Sequence, residues 1–263
     1  MNKTLKKIMI VAISLLAVIA VLTGVLMGVS GIFEKPFYLE PWNKSYYENF
    51  DDPRLRLSSH GLLAANGHNM QPWKIALDHN PAVFYLYADG SRLTDAADPY
   101  ARQMMISQGT FLEYVRVAGI KLGYEVEFEL FPMGQYNEDN LIKSMDEKPV
   151  AKITIAKRAA EETALYGAMF LPDTNRSAYL HQKLSGEQAE KLEAFSHADI
   201  TLSVLQDEQN LAKLSDLALR ASTVEAGVDI AAKETEEIFR LTNTKKTNTA
   251  TGFRSRGRAQ KVL

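Results

Sequence analysis

The chain has 263 residues, with 32 acidic and 30 basic side chains, and it contains no cysteine. The lack of cysteine excludes disulfides, thiolate metal sites and cysteine nucleophiles. The near balance of charge hides an asymmetry, because residues 34–239 are acidic overall and the last 24 residues carry only basic charges. A nucleic-acid-binding domain normally presents a basic face, so the acidic body excludes nucleic acid as a partner.

The N-terminal segment is strongly apolar. Residues 8–33 are 26 consecutive uncharged positions, preceded by Lys3, Lys6 and Lys7. At about 1.5 Å per residue, a helix of this length exceeds a hydrocarbon layer of roughly 30 Å. Because a basic flank normally stays in the cytoplasm, residues 1–33 are predicted to be a leader and single-pass anchor in the cell membrane, in contact with lipid, with the body outside. The alternative is a cleavable signal peptide, whose apolar region is usually only about 7–15 residues long.

The body begins with an aromatic and polar spacer, residues 34–50, for which no regular structure is predicted. Asp52 followed by Pro53 is a typical helix start, because aspartate caps free N–H groups and proline suits the first turn. This helix is predicted to reach about Asn66, with Gly67 as its stop. Apolar periodicity then predicts further elements. They are a hairpin of strands 73–78 and 83–88, a helix at 100–122 and a strand at 124–131.

The later part of the body has shorter periodic segments. Ser185 and Gln188 show the spacing of a helix cap. The remaining patterns predict a strand at 150–155, a helix at 159–168, a strand at 200–205 and a long helix at 207–239. Residues 240–263 have no apolar period, and we predict a poorly ordered basic tail there.

A dense group of polar side chains lies between the first predicted helix and the first strand. Side-chain amides both donate and accept hydrogen bonds, and the backbone around a glycine can approach a flat ligand closely. Such a turn therefore suits the polar edge of an aromatic heterocycle, although an ordinary helix cap beside a core tryptophan is an equal alternative. The residues concerned are Asn66, Gly67, His68, Asn69 and Gln71, followed by Trp73.

The segment Asn-Met-Gln-Pro-Trp at 69–73 resembles an element that follows the first helix of FMN-dependent nitroreductases. With the preceding Gly-His, it is more similar to the Acg-like branch, whose chains contain two nitroreductase-like halves. Shorter matching pieces follow in the order expected for that branch, so the resemblance covers roughly residues 50–240. These pieces are residues 89–92, 98–102, Ser-Gln-Gly at 107–109 and Leu-Gly-Tyr at 122–124.

The predicted second half contains a group that resembles the phosphate-binding element of this family. It consists of Thr174, Asn175, Arg176 and Ser177. An arginine can form forked, charge-assisted hydrogen bonds to phosphate oxygens, and hydroxyl groups add further donors. Judged on residue chemistry alone, Arg176 is more simply a solvated surface charge. The resemblance implies instead that these residues meet the first-half turn around one FMN.

The resemblance implies an α+β, nitroreductase-like fold, with an antiparallel or mixed sheet and packed helices. Residues 51–158 would form the first half, and residues 159–239 a partial, C-terminally short second half. The expected function is an oxidoreductase that transfers hydride through FMN to a small nitroaromatic or quinone-type acceptor. The electron donor, NAD(P)H or another, and pairing as a homodimer stay open. Alternatives are a flavin-storage protein with little turnover and a flavin-free, membrane-tethered interaction domain.

The five histidines do not form a recognisable metal-binding motif. They are scattered along the chain without the short spacing of a ligand pair, so no metal site is predicted. Only the histidine of the polar turn is assigned to the cofactor site. The histidines are His60, His68, His79, His181 and His197.

Overall fold

A computed structural model describes residues 2–33, 37–171, 177–178, 180, 182–196 and 199–238. The chain forms two compact units, one that contains the chain up to Pro172 and another at Asp173–Glu237. The fold is α+β, with a four-stranded antiparallel sheet and an apolar N-terminal helix. The predicted boundary between the halves 51–158 and 159–239 stays a prediction.

The first helix, α1 (Lys3–Ser30), is long and apolar enough to cross a bilayer. Its 28 residues bury no side chain against the rest of the described chain. Asn2 caps its start, and Gly31 ends it in the left-handed region with φ 67°. A glycine suits this position because it has no Cβ to clash there.

The spacer is more regular than the sequence predicts. Short 3-10 turns occupy Phe37–Trp42 and Tyr46–Asn49. The ring of Tyr46 meets the edge of the buried Phe50 ring at 5.6 Å between centroids. Tyr46 also packs against the main core, so the spacer is held on the domain by an aromatic side chain.

The sheet has the strand order β1-β2-β4-β3, and every neighbouring pair is antiparallel. The predicted hairpin is confirmed as β1 (Trp73–Leu77) and β2 (Val83–Ala88). Strands β3 (Tyr124–Leu130) and β4 (Ala151–Lys157) pair over their full length. The glutamates of β3 are exposed and alternate with half-buried residues, as the period-two pattern predicts.

Helices α2 (Pro53–Gly61) and α3 (Arg102–Leu122) pack beside the sheet and enclose the main core. The prediction that the first helix reaches about Asn66 is wrong. It ends at Gly61, where a Cβ would overlap the ring of Phe111. Beyond it, Leu63 N–H and Ala64 N–H donate to the carbonyl groups three residues back, His60 O and Gly61 O, so the α-helical hydrogen-bonding pattern has ended. Gly67 is therefore not the helix stop.

Two further short helices complete the first unit, α4 (Leu141–Glu147) and α5 (Ala164–Ala168). The sequence predicts no helix at α4, and it predicts α5 from residue 159. Residues 158–161 instead run along the end of α3, where Arg158 N–H donates to Gly123 O and Glu161 N–H to Ile120 O. These bonds satisfy carbonyl groups at the end of α3 and tie residues 158–161 to that helix.

The second unit contains α6 (Gly186–Glu193), α7 (Glu208–Ala226) and α8 (Asp229–Ile238). The predicted cap at Ser185 is confirmed, with reciprocal bonds to Gln188. The single predicted helix at 207–239 breaks at Gly227. Among the described residues the predicted strand at 200–205 is reduced to a bridge at Ile200. Side chains of α6 and its end bond the following backbone: Ser196 Oγ accepts from Leu202 N–H, and Glu193 Oε1 accepts from Val204 N–H.

Candidate functional site

The amide turn, residues 66–71, links the end of α2 to β1 and has an unusual backbone. His68, Asn69 and Gln71 lie in the left-handed region with φ of 51°, 53° and 51°. Each such residue with a side chain costs about 1–2 kcal/mol relative to a right-handed conformation. Asparagine and histidine tolerate this region better than glutamine does. Strain concentrated in one turn is typical of a functional site held in place by its surroundings.

The side chain of Asn66 holds the two ends of the turn together. Its Oδ1 accepts a hydrogen bond from Gln71 N–H at 2.7 Å, and its Nδ2 donates to Ala64 O at 3.0 Å. The amide predicted to face a ligand thus closes the turn by local side-chain to backbone bonds. Asn66 shapes the position of the neighbouring residues.

Helix α3 supports the turn from one side through polar residues near its first turns. Ser107 Oγ accepts from Gly67 N–H at 3.1 Å, and Thr110 Oγ1 donates to Ala65 O at 2.7 Å. Behind the turn, Trp73 Nε1 donates to Ser107 O at 3.0 Å and Gln108 Nε2 donates to Pro72 O at 2.8 Å. Four bonds therefore fix residues 65–73 to one rigid helix.

Arg92 supports the other side of the turn. Its Nη1 donates to Met70 O at 2.7 Å, and its Nε donates to Asp89 Oδ2 at 3.3 Å. Asp89 also forms an ion pair with Lys74 at 2.9 Å. Burial alone would raise the pKa of Asp89, but hydrogen bonds from Ser91 and Lys74 and the charge of Lys74 outweigh it and lower the pKa. The carboxylate therefore stays charged and keeps Arg92 in position.

With its backbone bonded inward, the turn presents an open outer surface. The side chains of His68 and Asn69 are exposed, and Gln71 is half-buried. On α3, Ile106 next to Ser107 is 69% exposed, and nothing lies within 4 Å of where a Cβ of Gly109 would stand. The exposed amide and imidazole groups of the turn can form hydrogen bonds to the polar edge of a flat heterocycle.

The structure brings together the predicted residues of the first half: Asn66, Gly67, His68, Asn69 and Gln71. Ser177 is an exposed residue of the other unit. Thr174, Asn175 and Arg176 lie outside the described residues, as do His181 and the predicted basic tail. No group of three metal-ligating side chains occurs among the described residues.

Sequence reasoning assigned no role to Ser107, Thr110 or Arg92. The signal for the first two was their spacing, because hydroxyl residues three positions apart lie on one face of a helix. Two polar residues there need partners from another element when they are buried. Arg92 gives no comparable local signal, because its bond to Met70 O spans 22 residues.

Comparison with known proteins gives a distant relationship; no family model matches the chain. The chain is 32% identical over 99 residues to a Mycobacterium tuberculosis protein named "Putative NAD(P)H nitroreductase acg", a match over 37% of this chain and 28% of that relative. An uncharacterized protein of the same organism is 25% identical over 104 residues, covering 39% and 30% of the two chains. The chain thus spans less than a third of these relatives' length. This distant similarity supports a nitroreductase-like family.

Proposed function

We propose that the chain is an FMN-binding, nitroreductase-like oxidoreductase with the corresponding fold. The observation that carries the proposal is the amide turn, which holds three side-chain-bearing residues in the left-handed region beside an open surface. Backbone strain of this kind clusters at ligand-binding sites, where it fixes the residues that face the ligand. The distant similarity to a protein named as an NAD(P)H nitroreductase supports the same reaction class.

The described residues suit the polar edge of a flavin ring. Asn69 and Gln71 supply amide groups that donate and accept, and His68 supplies a ring nitrogen. Gly67, whose N–H donates to Ser107, joins these residues to α3. The phosphate would be held by Thr174, Asn175, Arg176 and Ser177. When bound, FMN supplies hydride transfer through its ring system. The residues of the chain orient that ring and set its hydrogen-bonding environment.

The proposed partners follow from this reaction class. A nicotinamide dinucleotide or another reductant would donate electrons, and a small nitroaromatic or quinone would accept them. We propose that α1 anchors the chain in the cell membrane with its N-terminus in the cytoplasm and its body outside. A second copy of the chain, in a homodimer, is a further proposed partner.

The test is the visible spectrum of the full chain purified in detergent micelles, before and after addition of FMN. We expect flavin absorption, and reoxidation of the reduced protein by a nitroaromatic or quinone. The double variant Asn69→Ala with Arg176→Ala should bind FMN at least about tenfold more weakly, because it loses a polar contact and a charge-assisted one of about 1.5–3 kcal/mol.

The matched control is Gln135→Ala, which removes an exposed amide from the loop after β3. This variant should retain wild-type FMN affinity. A folded wild-type protein that retains no flavin absorption after incubation with FMN and removal of free FMN would contradict the proposed function. Full retention of FMN by the double variant would contradict the assignment of the site.

A further inference from the structure

We propose that Ser107 is a positioning residue that holds the amide turn in its ligand-binding conformation. This inference rests on the proposed function, and it adds a residue of α3 to a site otherwise built from the segment before β1. Ser107 is 1% exposed, so its hydroxyl is shielded from water and from any ligand. Its effect on a ligand must therefore pass through the groups to which it is bonded.

The hydroxyl of Ser107 has a fixed hydrogen-bonding arrangement. It donates its one hydrogen to Gln103 O, one turn earlier in α3, at 2.7 Å. A lone pair is then directed at Gly67 N–H, 3.1 Å away. Because a serine hydroxyl has a single proton, the bond to the helix carbonyl leaves it only an acceptor toward the turn. The free lone pair of the Ser107 hydroxyl therefore suits a donor, and the Gly67 N–H is that donor.

Gly67 is the last residue before the left-handed pair His68 and Asn69. The Gly67 amide is placed against α3, where a Cβ would meet Gln103 Cβ at 3.4 Å. If the serine acceptor is lost, a partly buried N–H group has no partner and the strained pair loses its nearest support. The pair then relaxes, and the exposed side chains of His68 and Asn69 lose their fixed positions.

The backbone of Ser107 serves the same segment. Its carbonyl accepts from Trp73 Nε1 at 3.0 Å. The neighbouring Thr110 hydroxyl lies 2.7 Å from Ala65 O and 2.9 Å from Ser107 O, and its one hydrogen is directed at the shorter of these contacts, Ala65 O. One residue of α3 therefore contacts the beginning and the end of the turn. A rigid helix that holds both ends reduces the ordering cost of binding, which raises affinity without a contact to the ligand.

The experiment compares Ser107→Ala with the wild-type full chain in detergent micelles. We expect the Kd for FMN to rise about tenfold, which corresponds to about 1.4 kcal/mol. The visible circular dichroism of FMN at saturation should also change, because the flavin then occupies a less ordered environment. Hydrogen exchange at the Gly67 amide should become faster in the absence of FMN.

Ser59→Ala is the matched control. Ser59 is a buried serine of α2, and its hydroxyl donates to Arg56 O within its own helix. A similar loss of stability is expected, with unchanged Kd and circular dichroism. If Ser107→Ala does not fold, Ser107→Cys carries the test, because a thiol keeps the shape and is a weak acceptor. That variant should fold and bind FMN more weakly than the wild type.

A wild-type protein that binds FMN while Ser107→Ala or Ser107→Cys shows the same Kd and the same visible circular dichroism would overturn the positioning role and leave the proposed function intact. A wild-type protein that binds no FMN would overturn both. A loss of stability in Ser107→Ala with no change in flavin binding would show that the serine only fastens the helix to the turn.

Discussion

His60 is buried among aromatic rings and joins three parts of the first unit. Its Nδ1 lies 2.8 Å from Arg56 O, and its Nε2 lies 3.0 Å from the hydroxyl of Tyr166 in α5. The ring of Tyr47, in the spacer, packs 5.2 Å away. Burial raises the pKa of Tyr166 to about 12, and the nearby Tyr47, Glu162 and Glu48 add to this effect. The Tyr166 hydroxyl therefore stays protonated and can donate a hydrogen bond to a neutral imidazole.

The buried imidazole predicts a pH dependence of stability. Burial lowers the pKa of His60, and the bond to Arg56 O only partly opposes this. The unfolded chain therefore binds the proton more readily than the folded chain, so unfolding becomes easier as the pH falls below about 6.5, the ordinary histidine pKa. We expect the urea midpoint, followed by tryptophan fluorescence, to fall between pH 7 and pH 5.

His60→Gln should flatten that slope because its side chain does not titrate. His79→Gln, at an exposed position of the hairpin turn, should retain the wild-type slope. The range from pH 7 to pH 5 separates the effect of His60 from that of Asp52. Burial would raise the pKa of Asp52, but hydrogen bonds and the charge of Arg54 outweigh it, so this stabilisation is lost only at more acidic pH. An unchanged slope in His60→Gln would assign the effect to other groups.

At the same scale, the sequence predicted the members of the amide turn but not their conformation. Asn66, Asn69 and Gln71 were identified because amide groups cluster near Trp73 along the chain. Three left-handed residues were not predictable, since nothing local favours glutamine at positive φ. The bonds from α3 and Arg92 impose that conformation, and they depend on contacts between residues distant in sequence.

At the scale of elements, periodic segments were predicted well and segments set by tertiary contacts were not. Strands β1 to β4 and helix α3 carry their pattern over five or more residues, so their type follows from one buried face. Three other segments bond to or pack against a neighbouring part of the chain, namely residues 62–64, 158–161 and 201–205. Their apolar or helix-favouring composition gave predictions that these contacts override.

The glycines of α3 provide a prediction about packing. A Cβ at Gly119 would stand 2.5 Å from Val126 Cγ2 and 2.9 Å from Tyr124 O, so the helix contacts β3 closely there. At Gly109 a Cβ would meet nothing within 4 Å. Replacing a glycine inside a helix by alanine stabilises the folded protein by about 1 kcal/mol. Overpacking a core position destabilises it by about 1–3 kcal/mol.

Gly109→Ala should therefore raise the free energy of unfolding by up to about 1 kcal/mol. Gly119→Ala should lower it by about 1–2 kcal/mol, because the clash exceeds the gain in helix propensity. Urea unfolding of the flavin-free protein measures both, and each variant is the control of the other. Equal effects of the two substitutions would show that α3 does not pack tightly on β3.

At the scale of the whole molecule, α1 is the most apolar element on the surface. Every residue of α1 is exposed or half-buried, and among the described residues it carries 16 of the 40 exposed large hydrophobic side chains, more than any other element. An unscreened apolar surface of this size is typical of a membrane or protein contact. The three lysines before residue 8 favour a cytoplasmic N-terminus.

The absence of cysteine allows a direct test of this topology, because each introduced thiol is the only one. In spheroplasts that express the chain, a membrane-impermeant maleimide should label Glu127→Cys, which lies on the exposed face of β3. Thr4→Cys, before the apolar segment, should react only after permeabilisation. The wild-type chain is the unlabelled control. If Thr4→Cys reacts in intact spheroplasts, the orientation is reversed, which would expose the body to cytoplasmic NAD(P)H and change the expected electron donor.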